Sequence, residues 1–174
     1  MSDAIIGLWG TKEALNNDPD MLTKIENGLK TAYGDQHNAI IGTYPDEPVD
    51  APQQSISDDI SGGPCGYNKN YDTLLPWWKD YHNCNGLTDY NDTNLLVTNG
   101  SGKNGKAYYA NPFAVAAGEQ ISDLPLEPAA AGCSNGYDAL NTVIHEHGHN
   151  LDLTHDMGNL YDYDSYDEFY TSPM

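Results

Sequence analysis

The residues with the clearest chemical potential are the histidines and the glutamate of the stretch from Val143 to Asp156. His145 and His149 lie four residues apart. On a helix that turns by about 100° per residue, both imidazoles therefore project from one face, where a single metal ion can bridge them. Glu146 follows the first histidine directly and can serve as a general base without being a ligand. The spacing therefore predicts a catalytic metal site.

A third imidazole, His155, follows His149 by six residues, which is enough chain to leave the helix and turn back. Three histidines with a fourth position left for water describe a hydrolytic site with one catalytic Zn²⁺ ion. The residues alone leave two other interpretations open. In one, a downstream carboxylate, Asp162 or Glu168, is the third ligand of a different zinc hydrolase. In the other, the chain is a zinc-dependent peptide-binding module without turnover.

The run His145-Glu146-His147-Gly148-His149-Asn150-Leu151, followed by His155-Asp156, resembles the metzincin clan of zinc endopeptidases. The clan motif is HExxHxxGxxH, and the run is most similar to the adamalysin (reprolysin) branch, where HExGHNLGxxHD is typical. Ser172-Pro173-Met174 resembles the methionine turn that the clan places beneath the zinc. The resemblance implies hydrolysis of protein or peptide substrates and, together with the acidic composition, an extracellular location.

Two positions inside the motif require their own interpretation. His147 shares the apolar helical stripe of Leu140 and Val143, so we predict a core histidine there and not a fourth ligand. Asp152 stands where the clan motif has its turn glycine. Asp and Asn tolerate the left-handed conformation better than other residues with side chains, so Asp152 is predicted to form the same turn.

The elements that position this motif predict an α+β domain, and the resemblance implies the metzincin-like zincin fold: a twisted mixed sheet, a packing helix, a long active-site helix and a minimal or truncated C-terminal subdomain. We expect one catalytic domain over residues 1–174, with an N-terminal subdomain at 1–155 and a short C-terminal segment at 156–174. A short apolar run rich in Ile and Leu, with glycines around it, predicts the first strand, and amphipathic spacing predicts the helix between the first two strands, which should therefore pair in parallel. The predicted strands are 4–10, 39–43, 93–98 and one or two within 105–117. The predicted packing helix runs from Asp18-Pro19 to about Gly34. The active-site helix should have Ser134 or Asn135 as its N-cap and should end at Asn150.

Three other segments bear on the site. Residues 45–66 are rich in Pro, Gly, Ser and Asp and predict a long surface loop. Residues 74–81 predict a short aromatic helix or turn whose indoles fill core, with a structural His82 beside it. In the resembling clan an edge strand before the active-site helix binds the substrate backbone, and residues 108–115 are predicted to be that strand.

The charge of the chain excludes one class of partner. Seven Lys and no Arg oppose 26 carboxylates, giving a formal net charge of −19, so nothing here neutralises nucleic-acid phosphates. Screening of such a charge at high salt favours a halophilic source, and Ca²⁺ sites or an acidic secreted protein are the alternative explanations. No apolar run reaches the length of a membrane span, and Met1-Ser2-Asp3 lacks the opening of a secretory signal. Any disulfide among Cys65, Cys84 and Cys133 leaves one thiol unpaired.

Overall fold

The computed structural model describes residues 2–33, 37–52, 59–60, 67–68, 71–101, 105–119 and 139–152. These residues form seven strands and four helices. None of these helices is both long and apolar enough to cross a membrane. In chain order the elements are β1 (Ser2–Gly10), α1 (Lys12–Asn17), α2 (Met21–Tyr33), β2 (His37–Thr43), β3 (Asp59–Ile60), β4 (Tyr67–Asn68), α3 (Tyr71–Asn85), β5 (Thr93–Ser101), β6 (Gly105–Ala107), β7 (Phe113–Glu119) and α4 (Ala139–Asn150).

Five of the described strands form one mixed sheet in the order β2-β1-β5-β7-β6. β2, β1, β5 and β7 pair in parallel, whereas β6 runs antiparallel to β7. The strands predicted at 4–10, 39–43 and 93–98 are confirmed, as is the parallel pairing of the first two. At a coarse level the protein is therefore an α+β fold with helices packed on a mixed sheet.

The core is divided between the two faces of this sheet, because side chains alternate along each strand. Leu95 and Val97 belong to the cluster that also contains the buried residues of α2 and α4. Leu96, between them, belongs to the opposite cluster, which contains Trp78 of α3. The amphipathic stripe predicted for α2 is confirmed, since it buries Met21, Leu22, Ile25 and Leu29. The sheet is thus covered by α2 and α4 on one face and by α3 on the other.

The aromatic helix predicted at 74–81 is confirmed as part of the longer α3. Trp78 is fully buried, and its indole N–H donates to the carbonyl oxygen of Asn94 at 2.9 Å. Trp77 packs partly buried against the same cluster. The interpretation of these indoles as core side chains is therefore confirmed.

The loop predicted at 45–66 is only partly a surface loop. Val49 and Ala51 are buried, and Val49 forms an isolated bridge with Thr11. Two further residues of the predicted loop, in β3, pair antiparallel with β4. The prediction failed at Val49 and Ala51 because a composition rich in Pro and Asp does not reveal single apolar residues that reach back to the core.

The position predicted for the edge strand is wrong. Among the described strands, β6 lies at one edge of the sheet, whereas β7 lies between β5 and β6. Residues 113–115 therefore belong to an internal strand, and residues 108–112 form the connection before it. The break predicted at Asn111-Pro112 is correct. It separates the edge strand β6 from β7, which is internal because it also pairs with β5.

His82 lies inside the aromatic cluster, as a structural histidine should. Its exposed fraction is 2%, and its ring lies 5.2 Å from the ring of Trp9 and 5.2 Å from that of Phe113. Nε2 lies 3.1 Å from the carbonyl oxygen of Thr88, so a neutral ring donates there. Burial lowers the pKa of His82, and the Thr88 carbonyl and the charge of Asp89 oppose this only in part.

This lowered pKa predicts a stability change with pH. At pH values below about 6.5, the ordinary pKa of histidine, the imidazole of His82 is protonated in the unfolded chain but stays neutral in the folded protein. The free energy of unfolding therefore falls as the pH falls towards the folded pKa. We expect His82→Gln, which keeps a donor for Thr88, to lose less stability than the parent between pH 7.5 and 5. Urea unfolding at several pH values measures this difference. Parallel pH profiles for the two proteins would contradict it.

Candidate metal centre

α4 carries the first two predicted ligands on one face. The Nε2 atoms of His145 and His149 lie 3.0 Å apart, and both residues are buried. The helix ends at Asn150, as predicted, while the predicted caps Ser134 and Asn135 lie outside the described residues. The four-residue spacing therefore brings the two imidazoles together as expected.

α4 is held in place by its apolar stripe. Leu140 and Val143 are buried in the cluster beneath the sheet. Gly28 of α2 allows the two helices to approach closely, because a Cβ atom there would lie 2.6 Å from Cδ2 of Leu140. The apolar face of the helix thus fixes its rotation, and the histidine pair is presented on another face.

Glu146 is a buried carboxyl group beside this pair. Its exposed fraction is 4%, and Oε2 has no hydrogen-bond partner among the described residues. Burial raises the pKa of Glu146 to about 8, and the charge of Lys106 on β6 opposes this rise. Burying a carboxyl group without a partner costs free energy, so this residue is not explained by stability. A cation next to it would favour the carboxylate form.

The edge strand β6 lies directly against Glu146. A Cβ atom at Gly105 would lie 2.5 Å from Oε1 of Glu146 and 2.8 Å from Cγ2 of Thr142. These distances are shorter than any normal contact, so the strand reaches α4 only because residue 105 has no side chain. In the sequence, Gly105 is marked only as a glycine at the start of a predicted strand. Its contact with Glu146 could not be predicted from that position.

His147 belongs to a buried polar chain, which confirms its assignment to the core. Its ring is buried, and Nδ1 lies 2.8 Å from Oγ1 of Thr93. The Thr93 hydroxyl donates its one proton to Oδ1 of Asn150 at 2.8 Å. Nδ1 of His147 must therefore be the donor to Thr93. His147 is thus used in a hydrogen-bonded chain that joins α4 to β5.

Asn150 extends this chain to the connection between β6 and β7. Its Nδ2 donates to the carbonyl oxygens of Tyr108 at 3.0 Å, Asn111 at 2.6 Å and Phe113 at 3.0 Å. The reverse amide orientation would place Oδ1 against three carbonyl oxygens, so the network fixes the assignment. The sequence predicts Asn150 only as the end of the helix. These hydrogen bonds could not be predicted from it, because the accepting carbonyl groups lie 37–42 residues away in the chain.

The turn predicted at Asp152 is present. Asp152 has φ 67°, and its N–H donates to the carbonyl oxygen of His149 at 2.9 Å. This is the left-handed conformation predicted for Asp152, which stands where the motif of the resembling clan has a glycine. The prediction of a left-handed turn residue is confirmed.

Substitutions at Asp152 should separate a turn residue from a ligand. We expect Asp152→Gly and Asp152→Asn to keep zinc affinity, because both tolerate positive φ. Asp152→Val should lower stability by about 1–2 kcal/mol and weaken zinc binding. Zinc titration and thermal unfolding measure both effects. At least tenfold weaker binding in Asp152→Gly, with little effect in Asp152→Asn, would instead make Asp152 a ligand or a partner of one.

His155, the third predicted ligand, lies outside the described residues. So do Met174, the alternative ligands Asp162 and Glu168, and two of the cysteines, Cys65 and Cys133; Cys84 is exposed. Among the residues that the structure describes, no group of three or more His, Cys, Asp or Glu side chains could hold a metal ion. The described part of the site therefore consists of the histidine pair and Glu146.

The pair fits a zinc ion in chemistry and in spacing. Two nitrogen ligands with bonds of about 2.0–2.1 Å to a tetrahedral zinc lie about 3.3 Å apart. The observed 3.0 Å between the two Nε2 atoms is within a few tenths of an ångström of this value. Imidazole nitrogens are also ordinary zinc ligands. The separation of the two nitrogens is therefore compatible with one zinc ion between them.

Comparison with known proteins assigns no family. No protein-family model matches the chain, and no curated protein matches it significantly. The functional assignment therefore depends on the residues and geometry of the site.

Proposed function

We propose that this protein is a zinc-dependent endopeptidase of the metzincin type. The observation that carries the proposal is Glu146, a carboxyl group with 4% exposure whose Oε2 has no hydrogen-bond partner in the described part of the chain, one residue from one of two facing imidazoles. Burial of such a carboxyl group costs free energy, so a structural role does not account for it. A general base beside a metal ion requires this arrangement.

Each residue has a distinct part in this proposal. His145, His149 and His155 hold the zinc, and Glu146 takes a proton from the attacking water and returns it to the leaving amine. When bound, zinc acidifies water and polarises the scissile carbonyl group. The low exposure of Glu146 keeps competing water away and strengthens its interactions with charge that develops during the reaction.

The substrate-binding strand is reassigned to β6. This strand is the edge of the sheet, runs antiparallel to β7 and lies against α4 at Gly105. An extended peptide added along this edge would run past Glu146 with its backbone paired to the strand. Protein or peptide substrates fit this arrangement.

The decisive experiment combines metal analysis with hydrolysis of casein. We expect one zinc ion per chain and casein cleavage that a chelator abolishes and added zinc restores. Assays in low and in molar salt also test the halophilic interpretation, which predicts higher activity in molar salt. A zinc-loaded, folded protein that does not cleave casein or mixed peptides would refute endopeptidase activity and favour the binding module.

Gly105→Ala tests the contact between the edge strand and the base. The new methyl group displaces the Glu146 carboxyl group, the movable partner in this contact. Since small misplacements of catalytic groups are costly, we expect kcat to fall about tenfold or more while zinc content is unchanged. Gly10→Ala is the control, because the three atoms nearest to its methyl group all belong to Leu15, the first at 2.7 Å. That variant should lose stability but keep its activity; equal activity loss in both variants would contradict the prediction.

A further inference from the structure

The connection of residues 108–112 lies beside the C-terminal end of α4. The Ala110 N–H donates to the carbonyl oxygen of His149 at 3.2 Å. Ala110 has φ 47°, a left-handed conformation that costs a residue with a Cβ atom about 1 kcal/mol or more. Contacts with the rest of the fold must therefore maintain the shape of this connection.

Asn150 supplies those contacts. One buried amide group donates to the carbonyl oxygens of Tyr108, Asn111 and Phe113, on both sides of Ala110. Its two hydrogens serve three acceptors, so at least one hydrogen is shared. The amide oxygen is in turn fixed by Thr93 of β5. Residue 150 therefore ties the connection to the helix that carries the histidine pair.

The side chain that this arrangement places beside the pair is Tyr109. Its ring centroid lies 4.8 Å from that of His149, with the ring planes at 60°. The residue is nevertheless 51% exposed, so much of the ring is open to solvent. Ile40 and Leu151 are the other large apolar residues exposed in the described part of the chain. Tyr109 thus offers a rigid apolar surface next to the proposed zinc ligands.

We propose that Tyr109 is a specificity-determining residue that contacts the substrate side chain next to the scissile bond, and that Asn150 is the positioning residue that holds it there. This inference rests on the proposed function. A tyrosine ring offers a large contact area at a small cost in conformational entropy. It selects an aliphatic or aromatic substrate side chain over glycine, and the selection depends on the place of the ring beside His149.

Two zinc-chelating peptidyl hydroxamates, with Leu or Gly next to the chelating group, test Tyr109 in the zinc-loaded full chain. A good apolar contact is worth about tenfold or more in discrimination. We expect the parent and Tyr109→Phe to bind the Leu compound at least about tenfold more tightly than the Gly compound. Tyr109→Ala should lose most of this preference with unchanged zinc content. Unchanged preference in Tyr109→Ala would overturn the inference.

Asn150→Asp tests the positioning role, because a carboxylate of the same shape cannot donate to three carbonyl oxygens. We expect it to lose the Leu preference as Tyr109→Ala does, with zinc still bound. Thr93→Ser keeps the hydroxyl group that orients Asn150 and should retain the preference. Full preference in Asn150→Asp would overturn the positioning role. If the parent hydrolyses no peptide but shows a Leu preference that depends on Tyr109, the inference stands and the endopeptidase proposal fails.

Discussion

Glu146→Gln is expected to abolish most peptide hydrolysis while zinc remains bound. The amide keeps the shape of the side chain but cannot accept the water proton, and general base catalysis contributes about 10²–10⁴-fold to such reactions. Metal content and kcat/KM on a peptide substrate measure the two properties separately. Glu47→Gln is the control for a glutamate-to-glutamine change at an exposed position away from the histidine pair.

The thermal stability of Glu146→Gln gives a second measurement of the role of this residue. Glu146 is a buried carboxyl group whose pKa is raised by burial. The neutral amide avoids the cost of burying a charge, so Glu146→Gln should be at least as resistant to thermal unfolding as the parent. A variant that is more stable and nearly inactive would match the trade-off expected of a functional residue. Full hydrolytic activity in Glu146→Gln would refute the proposed mechanism.

His145→Ala and His149→Ala should each lose the metal. Even residues that only support metal ligands change affinity by about 10–100-fold, so removing a direct ligand should weaken zinc binding by at least about a hundredfold. Because binding to the folded state stabilises it, both variants should also lose the rise in thermal midpoint that zinc gives the parent. Zinc titration and thermal unfolding with and without chelator measure these effects. Stoichiometric zinc in either variant would show that the helix pair is not the site.

His155→Ala identifies the third ligand. The clan resemblance predicts that it weakens zinc binding as strongly as the two helix substitutions do. Near-normal affinity would transfer the role to a downstream carboxylate, and Asp162→Ala and Glu168→Ala would then distinguish the two candidates. Comparison with Glu146→Gln, which should keep its zinc, controls for a general loss of folding.

The elements that are predicted correctly from the sequence depend on patterns among neighbouring residues. The strands at 4–10, 39–43 and 93–98 and the stripe of α2 follow from short apolar runs and from helical periodicity, which depend only on neighbouring residues. The left-handed turn at Asp152 follows from the motif and from the tolerance of Asp for positive φ. Predictions failed where residues distant in the chain decide the outcome. Val49 is buried through its contact with Thr11, and the edge of the sheet lies at 105–107 through the pairing of β7 with β5.

The sequence by itself determines that His145, Glu146 and His149 share a helix with the two imidazoles together, because a period of 3.6 residues dictates the face on which each side chain lies. The tertiary structure alone decides what surrounds them. Gly105 against Glu146, the three carbonyl groups on Asn150 and the ring of Tyr109 beside His149 all join α4 to residues about 40 positions earlier. Such contacts depend on sheet order and strand register, which arise from competition among all possible pairings and not from the pattern of any one segment.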